Sequence, residues 1–116
     1  MHTYAIPPKL WIVKYGGSAR PGAAPEDPLL DEIAELHAAG ERVVLVHGGG
    51  PEIDTALRER GLEGERFDGL RATDEQSLAT IEMVLCATIN KRIVRALQER
   101  GAMAVGISGQ DGGTLR

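Results

Sequence analysis

Glycine placement constrains this chain more than any other feature of its sequence. Its 116 residues include 15 glycines, about twice the usual share. They are clustered rather than spread as in a linker, at Gly16-Gly17, Gly48-Gly49-Gly50, Gly106 with Gly109, and Gly112-Gly113. Short apolar runs precede them: Leu10 to Val13, Arg42 to Val46 and Met103 to Ile107. A short apolar run stopped by glycine reads as a buried strand ending in a tight turn. Aromatic residues make up only 3% of the chain, so its core is aliphatic, as in a parallel sheet flanked by helices.

Helical patterns fill the spaces between these runs. Asp27 stands where an N-cap belongs and Pro28 at the first helical position; Leu29, Leu30, Ile33, Leu36 and His37 follow at helical spacing, and Gly40 closes that helix. A second helix starts at Pro51, carries Ile53, Ala56 and Leu57 on one face, and ends at Gly61. Leu62 to Ala72 is a connector. Thr73 with Gln76 three residues on forms a capping box for a long helix whose apolar stripe runs from Leu78 through Ile81, Val84, Ile89 and Ile93 to Leu97, with Gly101 as its stop. Strands alternating with helices predict an α/β fold, a three-layer α/β/α sandwich with a mainly parallel sheet and right-handed crossovers. In such sheets ligands bind beyond the carboxyl ends of the strands. All three glycine turns should therefore share one rim.

Composition narrows the partners. With 13 Lys and Arg against 17 Asp and Glu, the formal net charge is −4, which argues against a nucleic acid held through its phosphates. No apolar run approaches bilayer length, and no basic segment leads into an apolar one as in a signal peptide. A lone cysteine, Cys86, excludes an internal disulfide and a cysteine-built metal site; the expected location is cytoplasmic. His2, His37 and His47 lack metal-ligand spacing, so no metal site is expected in the chain itself. Cys86, beside Val84 and Leu85, reads as buried packing, and His47 as a structural histidine hydrogen-bonded at a strand end. The acidic pairs Glu26-Asp27 and Asp31-Glu32 suit a helix N-terminus.

The turns carry the chemistry. His47-Gly48-Gly49-Gly50 lets backbone N–H groups approach a ligand with no Cβ in the way, and the helix after it adds a partial positive charge. This suits a carboxylate or a transferring phosphoryl group; the plainer reading is a turn whose glycines only permit its angles. It is neither a Walker A loop nor a dinucleotide fingerprint. Lys14, two residues before Gly16 in Lys14-Tyr15-Gly16-Gly17, would bring a cation to the same rim, as phosphoryl transfer requires. Arg71 in Gly69-Leu70-Arg71 could hold a carboxylate through two parallel hydrogen bonds.

In this order, Lys14-Tyr15-Gly16-Gly17, His47 to Ile53, Asp68 to Asp74, Glu82-Met83-Val84-Leu85, Asn90-Lys91 and Ala104 to Gly109 resemble the amino-acid kinase family, over nearly the whole chain from Lys9. The nearest branch is the one that transfers the γ-phosphoryl group of ATP to the side-chain carboxylate of N-acetyl-L-glutamate in arginine biosynthesis. The resemblance implies the amino-acid kinase fold and a role for each matching residue. Lys14 would stabilise the transferring phosphoryl group; Gly16, Gly17 and Gly48 would face phosphates; Gly49 and Gly50 would bind the acid; Arg71 would grip its α-carboxylate. It implies ATP with Mg2+ as the cofactor of a full-length member, N-acetyl-L-glutamate as the small-molecule partner, and a homodimer or higher homo-oligomer paired partly through the long helix, with no nucleic acid or membrane.

Several positions depart from the family's usual residues. Ser18 stands in place of Asn, Glu52 of Gln, Asp68 of Asn and Gln110 of Lys, and Glu52 would add negative charge near the anion site. The family's nucleotide-binding half lies beyond this segment. The expected organisation is a flexible arm over 1–8 and, over 9–116, an N-terminal acyl-amino-acid-binding lobe that holds no nucleotide tightly. Two alternatives stay open: a kinase of an aminoadipate derivative in lysine biosynthesis, and a non-catalytic remnant that binds an acid or pairs with another subunit.

Overall fold

The computed structural model describes residues 7–16, 21–64, 66–67, 70–71 and 73–115, with the side chains at 66, 67, 70 and 71 left out of the description. The expected flexible arm lies almost wholly outside these residues, as do Gly17, Ser18, Asp68 and Gly69. Strand β1 (Leu10–Tyr15) is followed by helix α1 (Pro28–Ala38), strand β2 (Arg42–His47), helix α2 (Gly50–Glu59), the short strands β3 (Arg66–Phe67) and β4 (Leu70–Arg71), helix α3 (Glu75–Glu82), a π-helical segment Met83–Ile89, and helix α4 (Asn90–Glu99). β1 and β2 pair in parallel, from Leu10 opposite Arg42 to Tyr15 opposite His47. β3 and β4 form an antiparallel hairpin, with Arg66 opposite Arg71.

The helix ends follow the local chemistry of the sequence. Asp27 caps α1, its side chain accepting from the Leu30 N–H at 3.3 Å, with Pro28 opening the first turn. Helices α1, α2 and α4 close alike, on Gly40, Gly61 and Gly101 at φ 82°, 66° and 83°. In each, the residue after the glycine donates back to the helix: Glu41 to Leu36, Leu62 to Leu57 and Ala102 to Leu97, at 2.8–3.0 Å. These are Schellman closures, which need a left-handed residue.

The core is aliphatic, as the composition requires. Leu30, Ile33 and Ala34 of α1, Ile53 and Leu57 of α2, Val84 and Ile89 of the π segment, Ile93, Ala96 and Leu97 of α4, and Ala102 are buried, and they pack against Val13, Tyr15, Val43 and Leu45 of the sheet. The intervening strand residues face the other way. Ile12, Val44 and Val46 are 74%, 49% and 51% exposed. The parallel β1–β2 pair and its helices are those of the expected α/β fold, and among the described residues the helices cover one face of the sheet.

Four local expectations are corrected. The run Met103 to Ile107 joins no ladder. Its burial still alternates, with Ala102, Ala104 and Gly106 inward and Met103, Val105 and Ile107 outward. Side chains take its backbone groups instead: the Met103 N–H donates to His37 Nε2 at 3.4 Å, Lys91 Nζ to the Gly106 carbonyl at 3.0 Å, and Asn90 Nδ2 to the Ile107 carbonyl at 3.4 Å. The cap of the long helix is Asp74, not Thr73; its carboxylate accepts from the Ser77 N–H at 2.7 Å. Those bonds favour its charged form and hold its carboxyl below the usual carboxylate range. The helix is not α-helical throughout. Its middle widens to i→i+5 bonding at Met83–Ile89, and Thr88 Oγ1 donates to the Met83 carbonyl five residues back at 3.4 Å. The wide turn shifts the helical register, so Val84 and Ile89 face the core while Cys86, expected to be buried, is exposed. Among the described residues no helix is long and apolar enough to cross a membrane.

Candidate functional site

Parallel pairing in register brings the carboxyl ends of β1 and β2 together. Lys14 lies opposite Val46 and Tyr15 opposite His47, and the Gly48 N–H donates to the Tyr15 carbonyl at 3.1 Å. The Gly16 turn and the His47–Gly50 turn therefore occupy one rim, as the sequence predicts. Lys14 folds back beside its own turn, its Cε 3.6 Å from where a Cβ on Gly16 would stand. Strand alternation sets the Lys14 side chain on the open face of the sheet, with Ile12 and Val46, while Tyr15 and His47 lie on the helical face.

Helix α2 begins at Gly50, one residue before the expected Pro51, with Gly49 as its N-cap. This end differs from those of α1 and α3. A carboxylate caps each of those two, whereas among the described residues no side chain caps α2. The first N–H groups of any helix lack intrahelical partners, and they carry the positive end of its dipole. At α2, where Pro51 has no N–H, these donors include the Gly49 and Gly50 amides of a glycine turn on the rim.

Gly49 is glycine for a steric reason. A Cβ there would collide with Ile89 Cδ1 and lie 3.1 Å from Leu85 Cδ2. The π segment is thus pressed directly against the turn. Gly48 and Gly50 would meet nothing within 4 Å, so their freedom serves the approach of something else or the turn alone.

Glu52, expected to add charge to the anion site, is bound elsewhere. Its two carboxylate oxygens accept from Arg92 Nη1 and Nη2 at 3.0 and 2.6 Å. Arg92 Nε also donates to the Pro21 carbonyl at 2.8 Å. The ion pair is largely enclosed, at 19% and 14% side-chain exposure. It neutralises Glu52, joins α2 to α4, and holds the proton of the Arg92 guanidinium more firmly than usual. Beside it, the Tyr15 hydroxyl donates to the Asp27 carboxylate. Burial first, then that carboxylate, push the Tyr15 phenol above its usual range. Asp27, read from the sequence only as a helix cap, thus also ties β1 to α1.

His47 is hydrogen-bonded at its strand end, as expected. Nδ1 is 3.1 Å from the Gly48 carbonyl and Nε2 is 3.2 Å from Asn90 Nδ2. Asn90 brings the third glycine turn to the same rim through the Ile107 carbonyl. The structure therefore gathers Lys14, Gly16, Gly48, Gly49 and Gly50. Arg71 is placed only by its backbone, in β4 paired with β3, and Gly17 lies outside the described residues. Reading by motif quoted Asn90 only within the resemblance, with no role, and passed over Arg92. The available signal was a polar side chain set among Ile89, Ile93 and Val94. Among the described residues, no group of three or more His, Cys, Asp and Glu could hold a metal ion.

Comparison with known proteins gives the same picture. The profile of the Amino acid kinase family matches residues 9–116. Acetylglutamate kinase from Acinetobacter baumannii (strain ATCC 17978) is 42% identical over 108 residues, spanning 93% of this chain and 36% of that protein. Acetylglutamate kinase from Synechococcus sp. (strain CC9311) is 48% identical over 101 residues, 87% of this chain and 35% of that protein. The enzyme of that name from Caldanaerobacter subterraneus subsp. tengcongensis is 44% identical over 108 residues, with 93% and 36% covered. The chain thus spans about a third of the length of these relatives. Among solved structures, smu.665 from Streptococcus mutans UA159 superposes with a TM-score of 0.69 at 26% identity, over 79% of this chain and 37% of that one.

Proposed function

We propose, from the premise that this chain belongs to the amino acid kinase family, that residues 9–116 form the acyl-amino-acid-binding lobe of an acetylglutamate kinase. The reaction is transfer of the ATP γ-phosphoryl group to the side-chain carboxylate of N-acetyl-L-glutamate, in arginine biosynthesis in the cytoplasm. One observation carries the reading. The ammonium of Lys14 and the amides of two glycine turns belong to one strand-end rim, where among the described residues no side chain caps α2. Relatives at 42–48% identity bearing that enzyme's name support the choice of acid.

The assigned roles follow the chemistry of phosphoryl transfer to a carboxylate oxygen, with the bond from the γ-phosphorus to ADP broken. A carboxylate is ionised at neutral pH, so no general base is required, and catalysis consists of positioning and charge stabilisation. Gly49 and Gly50 present amides to the acid, Arg71 holds its α-carboxylate, Gly16 and Gly17 face phosphate oxygens, Gly48, whose N–H is taken by the Tyr15 carbonyl, only lets a phosphate approach with no Cβ in the way, and Lys14 offsets the charge developing on the transferred group. The rim fits the phosphoryl end of a nucleotide, since among the described residues no side chain caps α2 and a Cβ on Gly50 would meet nothing within 4 Å. ATP with Mg2+ would supply that group in a complete family member, and the present chain holds the acid rather than the nucleotide. Leu78 and Met83 on the long helix, 51% and 43% exposed, belong to the surface through which a homodimer would pair.

A thermal-shift titration tests this. A ligand that binds only the folded chain stabilises it by about 2.7 kcal/mol at a hundred times its Kd. N-acetyl-L-glutamate should raise the melting temperature more than N-acetyl-L-aminoadipate does. The reverse order would favour the lysine-pathway alternative, and no shift with either would favour a subunit-pairing remnant. Trapping with hydroxylamine should find no acyl phosphate made from ATP and N-acetyl-L-glutamate by this chain alone.

A further inference from the structure

We propose that Asn90 is a positioning residue whose single carboxamide locks the His47 ring in one tautomer and couples the His47–Gly50 turn to the Gly106–Gly109 turn. Asn90 is the first residue of α4, directly after the π segment, and it is buried at 9% exposure. Its Nδ2 reaches two groups on different segments: His47 Nε2 at 3.2 Å and the Ile107 carbonyl at 3.4 Å. Its Oδ1 accepts from Lys91 Nζ at 3.3 Å, and Lys91 Nζ also donates to the Gly106 carbonyl at 3.0 Å.

These partners determine where the protons lie. A carbonyl only accepts and an ammonium only donates, so the nitrogen of the carboxamide must face Ile107 and the oxygen must face Lys91. One N–H then goes to Ile107 and the other to His47 Nε2, which must be unprotonated to accept it. The ring proton is left on Nδ1, where it is donated to the Gly48 carbonyl at 3.1 Å. His47 is thereby turned against the first glycine of the turn. The choice of residue at 106 follows too, because a Cβ on Gly106 would collide with Asn90 Oδ1. Free imidazole in water favours the opposite tautomer, so the Nδ1–H form is a signature of this arrangement and not a default.

The consequence for ligand affinity rests on the reading that the His47–Gly50 turn receives the acid; the tautomer does not. The test is two-bond proton–nitrogen NMR of the imidazoles at mildly alkaline pH, with His47 assigned by its loss in His47→Gln. Wild-type His47 is expected as the Nδ1–H form. Asn90→Asp, near-isosteric but unable to donate, should move the proton to Nε2, shift the backbone amides of 48–50 and 106–108 together, and weaken N-acetyl-L-glutamate about tenfold or more, the effect of about 1.4 kcal/mol. Gly106→Ala, whose methyl displaces the carboxamide, should return His47 to the solvent tautomer, which keeps the test open if Asn90→Asp does not fold. A wild-type His47 protonated on Nε2, or a tautomer untouched by both variants, overturns the proposal. Failure of the wild-type chain to bind N-acetyl-L-glutamate overturns the functional reading instead, while the tautomer and the paired amide shifts still decide the role of Asn90.

Discussion

The two faces of the β1–β2 sheet are built from the same kinds of residue and meet different fates. On one face, Val13, Val43 and Leu45 pack under Leu30, Ile33, Leu57 and Ile93. On the other, Ile12, Val44 and Val46 are about half exposed or more. Parallel strands normally bury both faces, which is why they read as continuous apolar runs rather than alternating ones. Arg42 to Val46 is such a run. The helical face shows what a burying layer does for these strands. The open face shows the same apolar composition with no such layer among the described residues. Fold stability should therefore reside on one side of the sheet and be nearly indifferent to the other.

Truncation of core side chains tests that contrast at its largest. Leu30 and Ile89 are fully buried on the helical side. Leu30→Ala should cost about 2–5 kcal/mol in denaturant unfolding, the transfer energy plus an unfilled cavity. Ile12→Ala on the open face should cost less than about 0.5 kcal/mol, as an exposed substitution does. Equal losses at the two sites would mean that the open face is covered in solution, by a second copy for example, and the contrast would be gone.

A smaller effect sharpens the comparison at the rim. Gly49→Ala would drive a methyl into Ile89 Cδ1, and because Ile89 is fully buried it has nowhere to withdraw. Overpacking of this kind costs about 1–3 kcal/mol. Gly50→Ala, with nothing within 4 Å, should leave stability nearly unchanged. Ile89→Val removes the colliding methyl and should restore part of what Gly49→Ala loses. Additive losses in the double variant would show that the π segment does not press on the turn.

How far these features were legible in the sequence depends on how local their causes are. Asp27, Pro28 and the glycine stops at Gly40, Gly61 and Gly101 act within one helical turn, and each lies where the pattern predicts. The shared rim was also legible, because a parallel pair must end its strands on the same side. Three things were not. The π segment has no residue signature; its wide turn shows only where Ile89 meets Gly49 across the fold. The third apolar run has the composition of a strand, but pairing needs a neighbour, and His37, Asn90 and Lys91 take its backbone groups first. Glu52 carries a charge that looks local, yet its partner Arg92 is 40 residues away in sequence.

The smallest test is a pH dependence confined to the helical face. Tyr15 donates to the Asp27 carboxylate, and burial together with that carboxylate raises the phenol above its usual value, near 10 in an unfolded chain. A raised folded value means that folding favours the protonated phenol. The stability it contributes is fully present below about pH 9 and is lost as pH climbs through the raised value. Tyr15→Phe keeps the ring packed and removes the hydroxyl. It should lower stability by about 1 kcal/mol at neutral pH, the scale of one hydrogen bond, and abolish the alkaline decline that the wild-type protein shows in denaturant titrations. Val46→Thr on the open face, of similar volume, should leave that alkaline slope unchanged. A slope that persists in Tyr15→Phe would place the titrating group elsewhere. It would also remove the link by which β1, and with it the position of Lys14, is tied to α1 rather than carried by the sheet alone.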